Sequence, residues 1–127
     1  MKLLLDTCEM LFLLTNDRKL TAPRRAAIQD PNNLVFLSSV SATEIAIKYS
    51  IGKLPLPEPP EIYIPRNRIL HQISELPLNE KAALLVSNLP WHHKDPFDRL
   101  LIAQALADEL ILVSSDPLIR KYPVKLL

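Results

Sequence analysis

The sequence predicts an α/β protein in which a short, mainly parallel central sheet lies between layers of helices, a three-layer α/β/α sandwich. Two observations carry this. The apolar runs at Lys2–Leu5, Leu34–Ser38 and Leu110–Val113 are short and continuous, as strands are when both faces are covered. Helix-patterned segments separate them, and strand–helix alternation favours parallel pairing.

Asp6 ends the first run, and Thr7–Thr15 reads as a helix with Met10, Leu11 and Leu14 on one side. Pro23–Gln29 is a second helix that starts with proline, a favoured first position. Asp30-Pro31-Asn32-Asn33 is a turn cluster before the second strand. Ser41–Tyr49 reads as a helix ended near Gly52. The proline-dense stretch Leu54–Pro60 reads as a stiff loop. Glu61–Gln72 is helical, broken or started at Pro65, and Ile73–Leu76 is a candidate strand. Asn79 caps a helix over Asn79–Asn88. Pro96–Glu109 is the clearest helix, with Leu100, Ala103, Leu106 and Ala107 as its buried stripe. Asp116-Pro117 opens a last short helix, and Val124–Leu127 is a candidate edge strand.

The chain has 127 residues and is 48% apolar, which suits one domain over 1–127 with one core. Cys8 is the single cysteine, so neither an internal disulfide nor a multi-cysteine zinc site can form, and a reducing cytoplasm fits. The N-terminal MKLLLD is too short for a signal peptide or a membrane span. A net charge of +1 names no partner, so nucleic acid would need a local basic surface. Gly52 is the only glycine, which excludes the Gly-rich phosphate loops.

The informative feature is where the acids sit. Asp6 directly follows the first strand, Glu44 lies in the helix after the second, and Asp116 follows the ILV strand. Asp95 and Asp98 flank the start of the long helix. In an open α/β sheet the strand ends that lead into helices share one edge, where ligand sites gather. Each acid alone has a capping explanation. Ser41-Ala42-Thr43-Glu44 fits a capping box, and Asp95-Pro96-Phe97-Asp98 fits a helix opening with Asp at the cap. Capping alone does not require acids after separate strands in the same topological position. Clustered carboxylates repel unless a cation joins them, and oxygen-only ligation suits Mg²⁺ or Mn²⁺. Metal-assisted phosphodiester hydrolysis is the chemistry such a cluster supports.

These residues resemble the PIN-domain ribonucleases, and within them the VapC-type toxins of type II toxin–antitoxin modules. The matching motifs are LLLDT (Leu3–Thr7), SATEIAIKYSIGKL (Ser41–Leu54), HHKDPFDRLLIAQALA (His92–Ala107) and LVSSD (Leu112–Asp116). They span nearly the whole chain in order; singly they are weak, together specific. The resemblance implies a PIN-like fold and an acidic quartet of Asp6, Glu44, Asp98 and Asp116 as catalytic and metal-binding residues. Asp98 is preferred to Asp95 by its spacing to the rest of the helix and the next strand, which leaves Asp95 as cap or secondary residue. It further implies an Mg²⁺- or Mn²⁺-dependent endoribonuclease, a homodimer, and neutralisation by a small antitoxin protein. Two departures stand out: Glu109 sits where a glycine is usual, and Cys8 where relatives often have histidine or another residue.

Thr7 and Ser114 are candidates to position a water or ligand, with helix capping or strand-end hydrogen bonding as the plainer role. Arg99 can orient a carboxylate, touch RNA phosphate or form a surface ion pair. Lys48, Lys53, Lys94 and Arg99 form a candidate basic margin for RNA. His92 and His93 are adjacent and lack metal-ligand spacing, so packing or hydrogen bonding near the rim is expected of them. Trp91 is expected in the core or a dimer surface, Arg24 and Arg25 in solvent, and Met10 and Phe12 on a dimer or antitoxin surface if the first helix is not fully covered.

Three other functions compete. A dehalogenase-type phosphatase needs Asp-x-Asp after the first strand, and Cys8 occupies the second position. A phosphoreceiver wants an acid pair near the start, where only Asp6 stands ready. A catalytically weak RNA-binding domain, or a structure-specific nuclease outside a toxin–antitoxin system, keeps the fold without the toxin role.

Overall fold

The computed structural model describes residues 1–127. The strands are β1 (Lys2–Leu5), β2 (Leu34–Ser38), β3 (Ile73–Leu76) and β4 (Ile111–Val113). The helices are α1 (Thr7–Thr15), α2 (Ala22–Gln29), α3 (Ser39–Ser50), α4 (Pro60–Leu70), α5 (Glu80–Leu85) and α6 (Pro96–Ala107). Short 3-10 turns follow at Val86–Asn88 and Ile119–Lys121. The sheet order is β3-β2-β1-β4, with every pairing parallel. The chain therefore steps outward from β1 through β2 and β3, then crosses back to place β4 on the other side of β1. That reversal opens a crevice at the carboxyl ends of β1 and β4.

Strand periodicity divides the core. Leu3 and Leu5 point to one face, where they join Met10, Leu13, Ile28, Val35, Leu37, Ile45 and Ile64. Leu4 points to the other, with Leu101, Ile102, Ala105, Leu112 and Ile119. A continuous apolar strand is thus required, because neither face meets water. No helix is long and apolar enough to cross a membrane.

Several elements differ from the sequence expectation. Helix α3 begins at Ser39, because the Ser38 hydroxyl accepts from the Val40 N–H at 2.9 Å and makes the cap. The expected Ser41–Glu44 capping box is therefore not made, and Ser41 lies inside the helix. Pro65 does not break α4, which runs from Pro60. In α6 the buried residues are Leu101, Ile102, Ala103, Gln104 and Ala105, with Arg99, so burial reaches well round the helix and not along the expected stripe. Val124–Leu127 forms no strand; it contributes a single parallel bridge, Leu126 to Leu112. Met10 is fully buried and offers no docking surface, while Phe12 is half-buried against the core.

Helices α3 and α6 close with the same backbone device but different residues. After α3, Gly52 takes φ 74°, and Lys53 N–H donates to Lys48 C=O at 2.8 Å. After α6, Glu109 takes φ 54°, and Leu110 N–H donates to Ala105 C=O at 2.9 Å. The helix end closes in the usual left-handed way despite the missing glycine, at the steric cost of a Cβ. Replacing Glu109 by glycine removes that cost. E109G is expected to raise stability by about 1 kcal/mol, read as a higher midpoint in urea unfolding with unchanged slope.

Candidate active site

The site is assembled at the β1/β4 crevice from the ends of strands and the starts of helices. Asp6 is carried there by β1, whose last pairing is extended by Asp6 N–H donating to Val113 C=O at 3.1 Å. Its Oδ1 accepts from the Glu9 N–H at 2.7 Å and caps α1. Asp116 follows β4; its N–H donates to the Ser114 hydroxyl at 3.1 Å, and its Oδ1 accepts from the Leu118 N–H at 2.9 Å. Asp98 sits in the first turn of α6. Glu44 reaches in from α3, 5% exposed.

The capping roles of Asp6 and Asp116 are real, yet each uses only one oxygen of its carboxylate. With Oδ1 of Asp116 committed to its turn, Oδ2 faces His93 Nε2 at 2.9 Å. Asp98 Oδ2 lies at the same 2.9 Å from that nitrogen. Asp95 makes the α6 cap itself, accepting from the N–H groups of Phe97 and Asp98 at 2.8 and 3.3 Å. Glu44 is freed because α3 starts early: Oε2 meets the Lys48 ammonium at 2.5 Å, and Oε1 is buried with no partner.

The carboxylates sense one another. Burial, chiefly, pushes the Asp6 carboxyl up to about 7; the Ser114 side chain and Glu9 N–H oppose this, and the charges of Glu9 and Asp98 add to it. Asp98 is pushed up to about 6, first by burial and then by Asp95, with His93 opposing and Glu44 and Asp116 reinforcing. The Cys8 thiol, although its residue is exposed, is raised to about 11 by partial desolvation and then by the charges of Asp6, Asp98 and Glu44. Hydrogen bonding to Glu44 is the main cause that holds Lys48 above its ordinary value. Asp98 is the hub of this network, and Lys48, paired with Glu44, supplies its one ammonium.

His93 is the residue whose place the sequence conveyed least. It lies at the rim, hydrogen bonding as expected, but it grips two members of the quartet at once. Its Nδ1 accepts from the Asp95 N–H at 3.2 Å, which puts the ring proton on Nε2, facing both carboxylates. His93, Asp98 and Asp116 also have atoms close enough to share a metal. The tautomer argues against that role, because a ligating histidine donates from its other nitrogen, whereas this one accepts there. His93 is better described as a clamp. The D-P-F-D spacing and the histidine two residues before Asp95 were the available signal. Glu9 was missed altogether: it reads as one acid on an apolar helix, yet it is completely buried, with Oε1 accepting from Ser115 Oγ at 2.8 Å and Oε2 without a partner.

Other expectations need correction. Arg99 neither reaches solvent nor pairs with a carboxylate; it is 3% exposed. Its guanidinium donates to the carbonyls of Pro90, Val86 and Leu89 at 2.8, 3.1 and 3.2 Å and to the Tyr122 hydroxyl at 3.2 Å. Its exposed neighbour Trp91 stacks over the same group at 3.9 Å, so Trp91 is not a core residue. Arg24 is not simply solvated: it donates to the carbonyls of Leu127 and Ser114 at 2.9 and 3.1 Å, and Arg25 donates to Asp17 C=O at 3.4 Å. Thr7 donates its hydroxyl to Ser41 Oγ at 3.0 Å, tying α1 to α3 beneath the site. Lys53 and Lys94 are exposed, as a basic margin requires. His92 packs edge-on against Tyr122, with ring centres 5.2 Å apart.

Mutually repelling carboxylates, several of them buried, thus sit at a sheet's topological switch, an arrangement chemically suited to an oxygen-preferring cation. A family model of the PIN domain matches residues 3–125, and the chain belongs to the PIN domain family. Ribonuclease VapC16 of Mycobacterium tuberculosis is 56% identical over 41 residues, a stretch spanning 32% of this chain and 29% of that protein's length. Among solved structures, VapBC2 from Rickettsia felis, bound to a DNA fragment from their promoter, aligns with a TM-score of 0.73 at 16% identity, covering 100% of this chain and 98% of the other. DNA-bound VapBC from Salmonella typhimurium aligns at 0.72 and 18% identity, covering 100% and 97%. These structural likenesses are likenesses of fold.

Two outcomes are expected. Since Asp6 and Asp98 bind protons more tightly folded than unfolded, folding takes up protons between the ordinary value of 3.8 and their raised values of about 7 and 6. Metal-free protein is therefore expected to melt several degrees lower at about pH 8 than at about pH 5, with stability lost as pH rises through these folded values. A divalent cation should remove the difference. For Arg99, R99M is expected to cost about 3 kcal/mol in chemical denaturation, because its carbonyl and hydroxyl partners, the His93 carbonyl among them, lose their donor. R99K should not restore it, since an ammonium cannot reproduce the planar fork.

Proposed function

We propose that the protein is a metal-dependent endoribonuclease that hydrolyses RNA phosphodiester bonds, the toxin of a toxin–antitoxin pair. What supports the reading is that Asp98 feels the charges of Glu44 and Asp116, that Asp6 feels that of Asp98, and that a buried oxygen of Glu44 is left unpartnered. An orphaned carboxylate oxygen among like charges fits a cation-binding role. Divalent-metal dependence is a property of PIN-domain nucleases, and the all-oxygen quartet favours Mg²⁺ or Mn²⁺.

In this reading Asp6, Glu44 and Asp98 hold the cation, and Asp116 completes the set from the edge. The bound cation supplies activation of a water and stabilisation of the leaving oxygen. His93 keeps Asp98 and Asp116 at a fixed separation, and Thr7 with Ser41 keeps the starts of α1 and α3 in register. Lys48 stands beside Glu44, where its ammonium is free to swing to a scissile phosphate once the carboxylate is engaged. Lys53 and Lys94 attract the RNA backbone without reading sequence. Arg99 is withdrawn from that margin because it is buried.

The relatives support the partners as well as the activity. The matched curated protein is named a ribonuclease, and the neighbours of like fold are VapBC assemblies. An antitoxin partner, a homodimer and a cytoplasmic setting follow from the same reading. The exposed apolar side chains Ile47, Ile51, Ile62 and Ile69 of the α3 and α4 region offer protein-binding surface in place of Met10.

The decisive assay mixes purified protein with single-stranded RNA and Mg²⁺ or Mn²⁺, with single-stranded DNA in parallel. Cleavage of RNA is expected, lost with EDTA and reduced at least about a hundredfold in D98N, whose side chain keeps the size but not the charge. Equal cleavage by D98N and wild type, or indifference to EDTA, would sink the assignment.

A further inference from the structure

Glu9 has no task in the reaction as described above, yet its burial is complete. It lies one helical turn beyond Asp6 on α1, and its own N–H makes the Asp6 cap. Oε1 accepts from the Ser115 hydroxyl at 2.8 Å, which ties α1 to the loop between β4 and Asp116. Oε2 is buried and has no hydrogen-bond partner. No lysine, arginine or histidine pairs with it; the ion pairs of the chain lie elsewhere. Of the carboxylates that raise Asp6, Glu9 acts most strongly, ahead of Asp98.

A structural tie to Ser115 needs one acceptor oxygen and no charge. A buried carboxylate with a spare oxygen is a costly way to supply it, because both desolvation and repulsion from Asp6 work against folding. The cost has a use if a cation shares the pocket. We propose that Glu9 is a fifth carboxylate of the metal centre, a positioning residue whose Oε1 fixes the Asp116 loop through Ser115 and whose Oε2 serves the hydration shell of the cation. The inference rests on the metal-dependent reading. It adds a residue from the opposite end of the first turn of α1, and makes α1 contribute two acids where the acidic quartet counts one. Such outer partners typically change metal affinity ten- to a hundredfold when removed.

The experiment is Mn²⁺ titration calorimetry on wild type, E9Q and S115A, with circular dichroism to confirm the fold. Glutamine retains an acceptor for Ser115 and the side-chain volume, and removes the charge. E9Q is expected to bind Mn²⁺ at least about tenfold more weakly than wild type and to melt no lower without metal, while S115A, which loses the tie to the Asp116 loop but keeps the charge, weakens binding less than E9Q does. E9Q affinity within about twofold of wild type overturns the proposal and leaves the metal reading standing. Absence of Mn²⁺ binding in wild type overturns both. A second measurement needs no variant: in carboxyl-labelled wild type, substoichiometric Mn²⁺ should broaden the Glu9 side-chain carbon ahead of the remote Glu61 and Glu80. An unbroadened Glu9 signal also overturns the proposal.

Discussion

Repulsion among buried carboxylates is the constraint around which this protein is built. A parallel sheet covered on both faces delivers its strand ends to one edge, and here those ends carry acids. They are held by backbone N–H groups and an imidazole: Asp6 by the Glu9 N–H, Asp116 by its own turn, Asp98 and Asp116 by the His93 ring. Only Lys48 brings a full ammonium charge. The pocket is therefore undercompensated, and the raised proton affinities of Asp6 and Asp98 are the direct sign of it. A divalent cation bound there would compete with protons for the same oxygens, which would link pH, metal and fold stability in one site.

The surrounding architecture pays attention to geometry rather than charge. Ser38 starts α3 early enough that Glu44 falls in its second turn, turned toward the crevice and released from capping. Thr7 and Ser41 join the two helices that carry Asp6 and Glu44. Arg24 holds the Ser114 carbonyl from outside while Ser115 is held by Glu9 from within. The loop that presents Asp116 is thereby braced on two sides, as a site built on short connections requires.

Much of this was legible in the residues. Continuous apolar runs identified the strands because a two-faced sheet leaves no room for alternation, and the acids could be assigned to one edge because their positions relative to those strands repeat. Caps were legible too where one side chain decides them, as at Asp95 and Asn79. What stayed hidden depends on contacts between distant segments. Nothing near Ser41 announces that Ser38 will cap first. Arg99 reads as a surface cation until the loop from Val86 to His93 is seen wrapped around it. Glu9 reads as an isolated acid until Ser115 arrives from the far end of the chain. His93 could be placed at the rim by its spacing, but its double contact requires the position of Asp116.

The Arg99 guanidinium has a consequence for how this enzyme-like site can change. It organises the backbone of the loop that carries His93, and it stands next to Asp98 on the same helical turn. Robustness and reactivity are therefore encoded in adjacent codons and in a single structural unit. A substitution that loosens the loop also slackens the clamp on Asp98 and Asp116, so the usual bargain of gaining stability by giving up function, or the reverse, is not on offer there. Variation has to enter elsewhere: at the exposed Lys53 and Lys94 and the exposed isoleucines of α3 and α4, which take no part in the clamp.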